Sequence, residues 1–102
     1  MTRTWWLMRG DVRVGELREY GIDQPTVLCH FLPGPGWEPV SSLFEAWEAV
    51  QGPDPDGSRH ARAVRPLMDL VLTLHPSDGS PPLACFKDCI LRIYGDTARL
   101  RC

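Results

Sequence analysis

The sequence predicts an α+β fold: a mostly antiparallel sheet of about six strands with one main helix packed on one face. Three observations predict it. Apolar runs flank Gly10-Asp11 and again Gly95-Asp96, two-residue connections with the chemistry of tight hairpin turns. The stretch from Ser42 to Gly52-Pro53 carries helix signals at both ends. Connections in the sheet parts are short, giving the order β-β-β-α-(α)-β-β-β in one domain, residues 1–102.

Residues 4–9 and 12–19 form the first expected hairpin. Counting outward from its turn pairs Arg9 with Val12, Leu7 with Val14 and Trp5 with Glu16. Trp5, Leu7, Val12 and Val14 then share one face, and Trp6 and Met8 take the other. Gly21-Ile22-Asp23-Gln24-Pro25 reads as a turn, and Thr26 to Leu32 as a third strand with Val27, Cys29 and Phe31 on one face. The loop His30-Phe31-Leu32-Pro33-Gly34-Pro35-Gly36-Trp37-Glu38-Pro39 concentrates stiffening prolines and permissive glycines around a tryptophan.

Ser42 and Glu45 stand in the S-x-x-E arrangement of a capping box. Leu43, Phe44, Ala46, Trp47 and Val50 make the apolar stripe of the helix, which Gly52-Pro53 closes. Pro53-Asp54-Pro55-Asp56-Gly57 reads as an exposed loop, and Ser58 to Val64 as a short second helix ended by Pro66. Leu67 to His75 alternates, with Met68, Leu70, Leu72 and Leu74 on one face, the pattern of a strand. The last two strands are expected over 84–94 and 97–102, pairing Leu91 with Leu100 and Cys89 with Cys102.

Composition bounds the function. The 102 residues are 43% hydrophobic and 24% charged, ordinary for a globular chain, so wholesale disorder is not expected. The formal charge of −2 supplies no field of one sign to recruit nucleic acid or an anionic membrane. The N-terminal stretch Met1 to Arg9 has too short an apolar run for a signal peptide, and no segment approaches a membrane helix. A cytoplasmic protein is the expectation, and its four cysteines, Cys29, Cys85, Cys89 and Cys102, are then thiols rather than a disulfide framework.

Several patterns suggest chemistry, each with an ordinary counterpart. Cys85 and Cys89, helped by Cys29, His30 or Cys102, could ligate zinc. On a straight strand, however, Cys85 and Cys89 lie about 13 Å apart at about 3.3 Å per residue, beyond the reach of one ion. A bulge or loop at Phe86-Lys87 is needed to bring them together, and buried apolar cysteine is the commoner case. Cys29 and His30 are strand neighbours, so they face opposite ways and form no catalytic dyad. Neither His60 nor His75 is tied by spacing to a nucleophile or an acid, and no catalytic residue is assigned. Asp54 and Asp56 lack the later ligands of a calcium loop, and Arg9-Gly10-Asp11 is explained by the turn it makes. Arg59, Arg62 and Arg65 at helical spacing, with Arg92, Arg99 and Arg101 on the last hairpin, make nucleic acid a third choice of partner.

Trp5-Trp6-Leu7 with Gly10, Gly21 to Pro25, the Cys29-to-Trp37 stretch with Leu43-Phe44-Glu45, and the Gly95-Asp96 hairpin together resemble small hypothetical proteins of high-GC actinobacteria. Ten arginines against the single Lys87, and no asparagine, agree with such a genome. The resemblance implies a source and a one-domain chain, and carries over no site residue.

The function expected from these residues is a non-enzymatic interaction module: an adaptor, the neutralising partner of a toxin, or a self-associating protein. Its interface candidates are Trp37 and Pro35 in the stiff loop, Trp5 or Trp6 in the first strand, and Leu28 and Leu32 in the third. Its partner is another protein or a second copy, without membrane or cofactor. The alternative is a small-molecule or metal-binding protein, enzyme included, with a pocket between helix and sheet lined by Cys29, His30 and His75.

Overall fold

Seven strands, all paired antiparallel, form one sheet in the order β5-β4-β1-β2-β3-β7-β6. They are β1 (Thr4–Arg9), β2 (Val12–Asp23), β3 (Thr26–Pro33), β4 (Leu72–Pro76), β5 (Leu83–Ala84), β6 (Ile90–Tyr94) and β7 (Thr97–Arg101). Two helices, α1 (Glu38–Glu48) and α2 (Ser58–Asp69), lie between β3 and β4. This computed structural model describes residues 3–50 and 52–102. Met1 and Thr2, at the start of the N-terminal stretch read above, and Gln51, at the end of the predicted helix, lie outside the described residues.

The sheet curls into a half-barrel. A parallel bridge between Cys85 and Cys89 joins the end of β5 to the start of β6, so the two edge strands approach each other. The inner face carries Trp5, Leu7, Val14, Leu17, Cys29, Phe31, Leu74, Leu91, Ile93 and Leu100, all buried. Val40, Phe44 and Trp47 of α1 and Leu67 of α2 complete one apolar cluster with them. Among the described residues no polar or charged side chain is buried.

Both Gly-Asp hairpins form where the sequence puts them, and the last one keeps the predicted register, Leu91 opposite Leu100 and Ile93 opposite Ala98. The first hairpin departs from it. Arg9 pairs with Val12 as expected, but a bulge at Val14 moves Leu7 opposite Gly15 and Trp5 opposite Leu17. Such a bulge places Val14 and Leu17 in the core while Val12 turns out to solvent. Gly15 is required there: a Cβ would sit 2.3 Å from the Phe31 ring and 2.9 Å from the Leu32 carbonyl oxygen.

Other differences have physical causes. The predicted turn at Gly21 to Pro25 is mostly strand, because a second bulge at Tyr20 lets β2 run to Asp23 against Thr26. Helix α1 begins four residues before Ser42, with Pro39 in its first turn, where the missing N–H costs nothing. Trp37 is its N-cap and offers no side-chain cap; the Ser42–Glu45 capping box does not form. The stretch read as a strand from Leu67 starts as helix: α2 runs through Pro66 to Asp69. Burying Leu67, with Ala63, Val64 and Leu70 partly covered, outweighs the hydrogen bond that Pro66 removes. Val71, at φ 55°, then makes the reversal into β4. The strand expected over 84–94 is interrupted by a turn at residues 85–89, where Phe86 adopts φ 66°. Ser58 does not cap α2; Asp54 accepts from the Arg59 and His60 amides at 3.3 and 3.1 Å, and Asp56 from Ser58 at 3.0 Å. Those bonds hold both carboxyls below the usual range.

Candidate functional site

The Pro33–Trp37 loop is stitched to β2. The Gly34 amide donates to the Val14 carbonyl and the Gly36 amide to the Arg13 carbonyl, each at 2.9 Å. A Cβ on Gly34 or Gly36 would meet Arg13 or Val12 at 2.7 or 2.6 Å, so the two glycines allow the strand and loop backbones to touch. Trp37 packs between Phe31 and Phe44, with ring centroids 4.6 and 5.4 Å away. The loop thus anchors the start of α1, with Pro35 exposed at its tip.

The interface candidates do not gather into one patch. Trp5 is 4% exposed on the inner face, two strands from Phe31 in the same row, with the Arg3 guanidinium 4.9 Å above its ring. Trp6, Leu28 and Leu32 lie on the outer face. There Arg13 stands over Trp6 at 5.8 Å, and Tyr20 stacks on His30 at 4.5 Å. His75 is also on that face, its Nε2 3.0 Å from the Thr73 hydroxyl, whereas Cys29 is fully buried on the inner one. Cys29, His30 and His75 therefore cannot line a shared pocket, and the space between helix and sheet is filled by apolar side chains. Of the arginines, Arg92 is held by Glu48 at 3.2 Å and lies 4.1 Å over the Trp47 ring; Arg99 and Arg101 are exposed.

The helices cover only part of the inner face. Where β1, β3 and β7 approach Arg3, Thr26 and Arg101, it opens into a cleft of about 720 Å³. That volume falls in the range typical of small-molecule sites. Trp5, Val27 and Leu100 form its floor, and the loop following Pro76 forms a wall with Pro81, Pro82 and Leu83. Pro25 and Cys102 lie at its margin. Two charged side chains border it, and both are engaged. Arg3 donates to Glu19 through Nη2 at 2.8 Å and Nε at 3.0 Å, and Asp78 accepts from the Ser80 amide at 2.9 Å. The hydrogen bonds from Ser80 keep the Asp78 carboxyl below its usual range.

Three of the four cysteines meet beside the cleft. The 85–89 turn is tied by the Phe86 amide to the Cys89 carbonyl at 2.6 Å and the Asp88 amide to the Ala84 carbonyl at 2.8 Å. This supplies the bend that a straight strand lacked and sets Cys85 beside Cys89, whose thiol donates to the Ala84 carbonyl at 4.0 Å. Cys102, just past β7, is close enough to Cys89 for each to shift the other's ionisation. Interaction with Cys89 raises Cys85, interaction with Cys85 lowers Cys89, and burial together with Cys89 raises Cys102. Cys29 and His30 stand apart, and among the described residues no group of three His, Cys, Asp or Glu side chains is disposed to hold a metal ion. Also among them, no helix is long and apolar enough to cross a membrane.

No protein-family model, curated protein or solved structure matches the chain.

The sequence reading missed the cleft. Its signal was the prolines: Pro25 between β2 and β3, Pro76 at the end of β4, and Pro81 and Pro82 in the loop after it, which only the strand order brings together.

Proposed function

We propose that the protein is a binding protein that takes an uncharged apolar small molecule into the open end of its half-barrel. The observation that carries this reading is the uncovered inner-face cleft of about 720 Å³, floored by Trp5, Val27 and Leu100. Apolar surface left in a concavity is stabilised by an apolar guest at about 25 cal/mol per Å² removed from water. Among the described side chains that line it, Arg3 is paired to Glu19 and Asp78 accepts from Ser80, which favours a neutral guest. This is the small-molecule alternative in a different place from the one the cysteine and histidines suggested. The protein-partner reading has weaker support, because its candidate residues are divided between two sheet faces and a packed loop.

The test is titration of the full chain with a neutral apolar fluorophore such as Nile red, comparing Val27→Glu with Leu28→Glu. The two positions are adjacent on β3 but point to opposite faces. Saturable binding that weakens at least tenfold in Val27→Glu and stays unchanged in Leu28→Glu is expected. Should Val27→Glu fold poorly, Pro82→Glu on the exposed wall takes its place. Equal binding by both variants, or loss only in Leu28→Glu, moves the site off the cleft and ends this reading.

A further inference from the structure

We infer that Cys102 and Cys89 form a redox-active dithiol that reduces small disulfides at the edge of the cleft, with Cys102 as the entry thiol and Cys89 as the resolving one. The inference holds whatever occupies the cleft. It rests first on register. Ile90 pairs with Arg101, the last pair between β6 and β7, which puts Cys89 opposite Cys102 one step further on. Residues opposite each other in antiparallel strands have Cα atoms about 4.5–5.5 Å apart, inside the range a disulfide accepts. The second support is the side chains themselves, since all three cysteines are free and Cys102 lies close enough to Cys89 for each to shift the other's ionisation. The third is access: Cys85 and Cys89 are 8% and 4% exposed, whereas Cys102 is exposed and lines the cleft.

Those facts order the reaction. A small disulfide RSSR reaches only Cys102. The Cys102 thiol gives its proton to solvent and its thiolate attacks; a Cys102–SR bond forms, the S–S bond of RSSR breaks, and RS⁻ leaves. Cys89 then gives its own proton to solvent, and its thiolate attacks the Cys102 sulfur. A Cys89–Cys102 bond forms while the Cys102–SR bond breaks and a second RS⁻ leaves. The leaving thiolates take up the two protons, so the chain gives two electrons and two protons, and RSSR becomes two RSH. Cys85, beside Cys89 across the 85–89 turn, does not enter the bond.

Oxidised glutathione serves as the probe, with intact mass and peptide mapping as the readout. The unaltered chain is expected to lose two hydrogens in mass and to show a Cys89–Cys102 linked peptide. Cys89→Ser should stop at a stoichiometric glutathione adduct on Cys102, Cys102→Ser should react at least tenfold more slowly, and Cys85→Ser should still form the bridge. A lasting adduct on Cys102 in the unaltered chain, a Cys85–Cys89 bridge, or no reaction overturns the inference.

Discussion

The inner face of the sheet is apolar from one end to the other, yet its two parts have different fates. Under the helices, Phe31, Leu74 and Ile93 join Val40, Phe44 and Leu67 in one apolar cluster. Beyond them Val27, Leu100 and the edge of Trp5 meet only a proline-rich loop, and a cleft stays open. The same strands, with the same alternation, supply both parts. The difference comes from the reach of the helices: eleven residues in α1 and twelve in α2, at about 1.5 Å per residue, cannot blanket every strand of a curled sheet. A binding site here is therefore surface that the core-forming pattern produced and the helices did not use.

Truncating a tryptophan in each part gives the largest expected contrast. Trp47 is 6% exposed, edge-on to Phe86 at 5.4 Å and beneath Arg92. Trp47→Ala leaves an enclosed void and should cost roughly 3–5 kcal/mol. Trp5 is equally buried, but the space left by Trp5→Ala joins the cleft, where water enters it. Its cost should keep the transfer contribution and lose most of the cavity contribution, falling about 1–2 kcal/mol below that of Trp47→Ala. Chemical denaturation of the two variants measures this. Equal losses would mean that the cleft is closed in solution.

How much of this was legible follows from which constraints are local. The two Gly-Asp turns and the alternation of Val27, Cys29 and Phe31 are local, and the sheet, its hairpins and the last register followed from them. The bulges at Val14 and Tyr20 are not: they arise from the curl of the sheet, and each shifts every later residue by one place. In α2, the spacing of Ala63, Val64, Leu67 and Leu70 was the helical signal, masked by the alternation of Met68, Leu70, Leu72 and Leu74. Counting from the last hairpin put Cys89 next to Cys102, and the observed pairs run as counted as far as Ile90 with Arg101, whereas Cys85 reaches Cys89 only through the φ 66° turn at Phe86. No spacing announced the cleft, because an opening is defined by what fails to cover it.

Cys29 sits on β3 between Val27, in the cleft, and Phe31, under the helix start, so it reports how dry the boundary is. Burial, with the Glu19 carboxylate adding to it, pushes its thiol from an ordinary 9.0 up to about 12. The unfolded thiol ionises first, while the folded one keeps its proton. The stabilisation from Cys29 is therefore complete below pH 9 and is lost as pH rises from 9.0 toward about 12. The slope should approach about 1.4 kcal/mol per pH unit, and Cys29→Ala should remove it. Denaturation curves across that range, run for both chains, test this. Parallel curves would mean that cleft water reaches the thiol and that the boundary between the two parts is wet.

The smallest expected effect tests where the covering begins. A capping box at Ser42 would make Ser42→Ala cost about 1 kcal/mol. In the structure α1 starts at Glu38, and Ser42 is an exposed residue of its interior, while the neighbouring Ser41 hydroxyl donates to the Glu38 carbonyl at 3.1 Å. Alanine is a better interior helix residue than serine, which competes for backbone hydrogen bonds. Ser42→Ala should thus stabilise the fold by up to about 0.5 kcal/mol, a small change of opposite sign. The sign is what matters. A loss near 1 kcal/mol would place the helix start at Ser42 and release residues 38–41 from α1. Val40 would then no longer be held over Phe31, and the covered part of the inner face would shrink toward the open one.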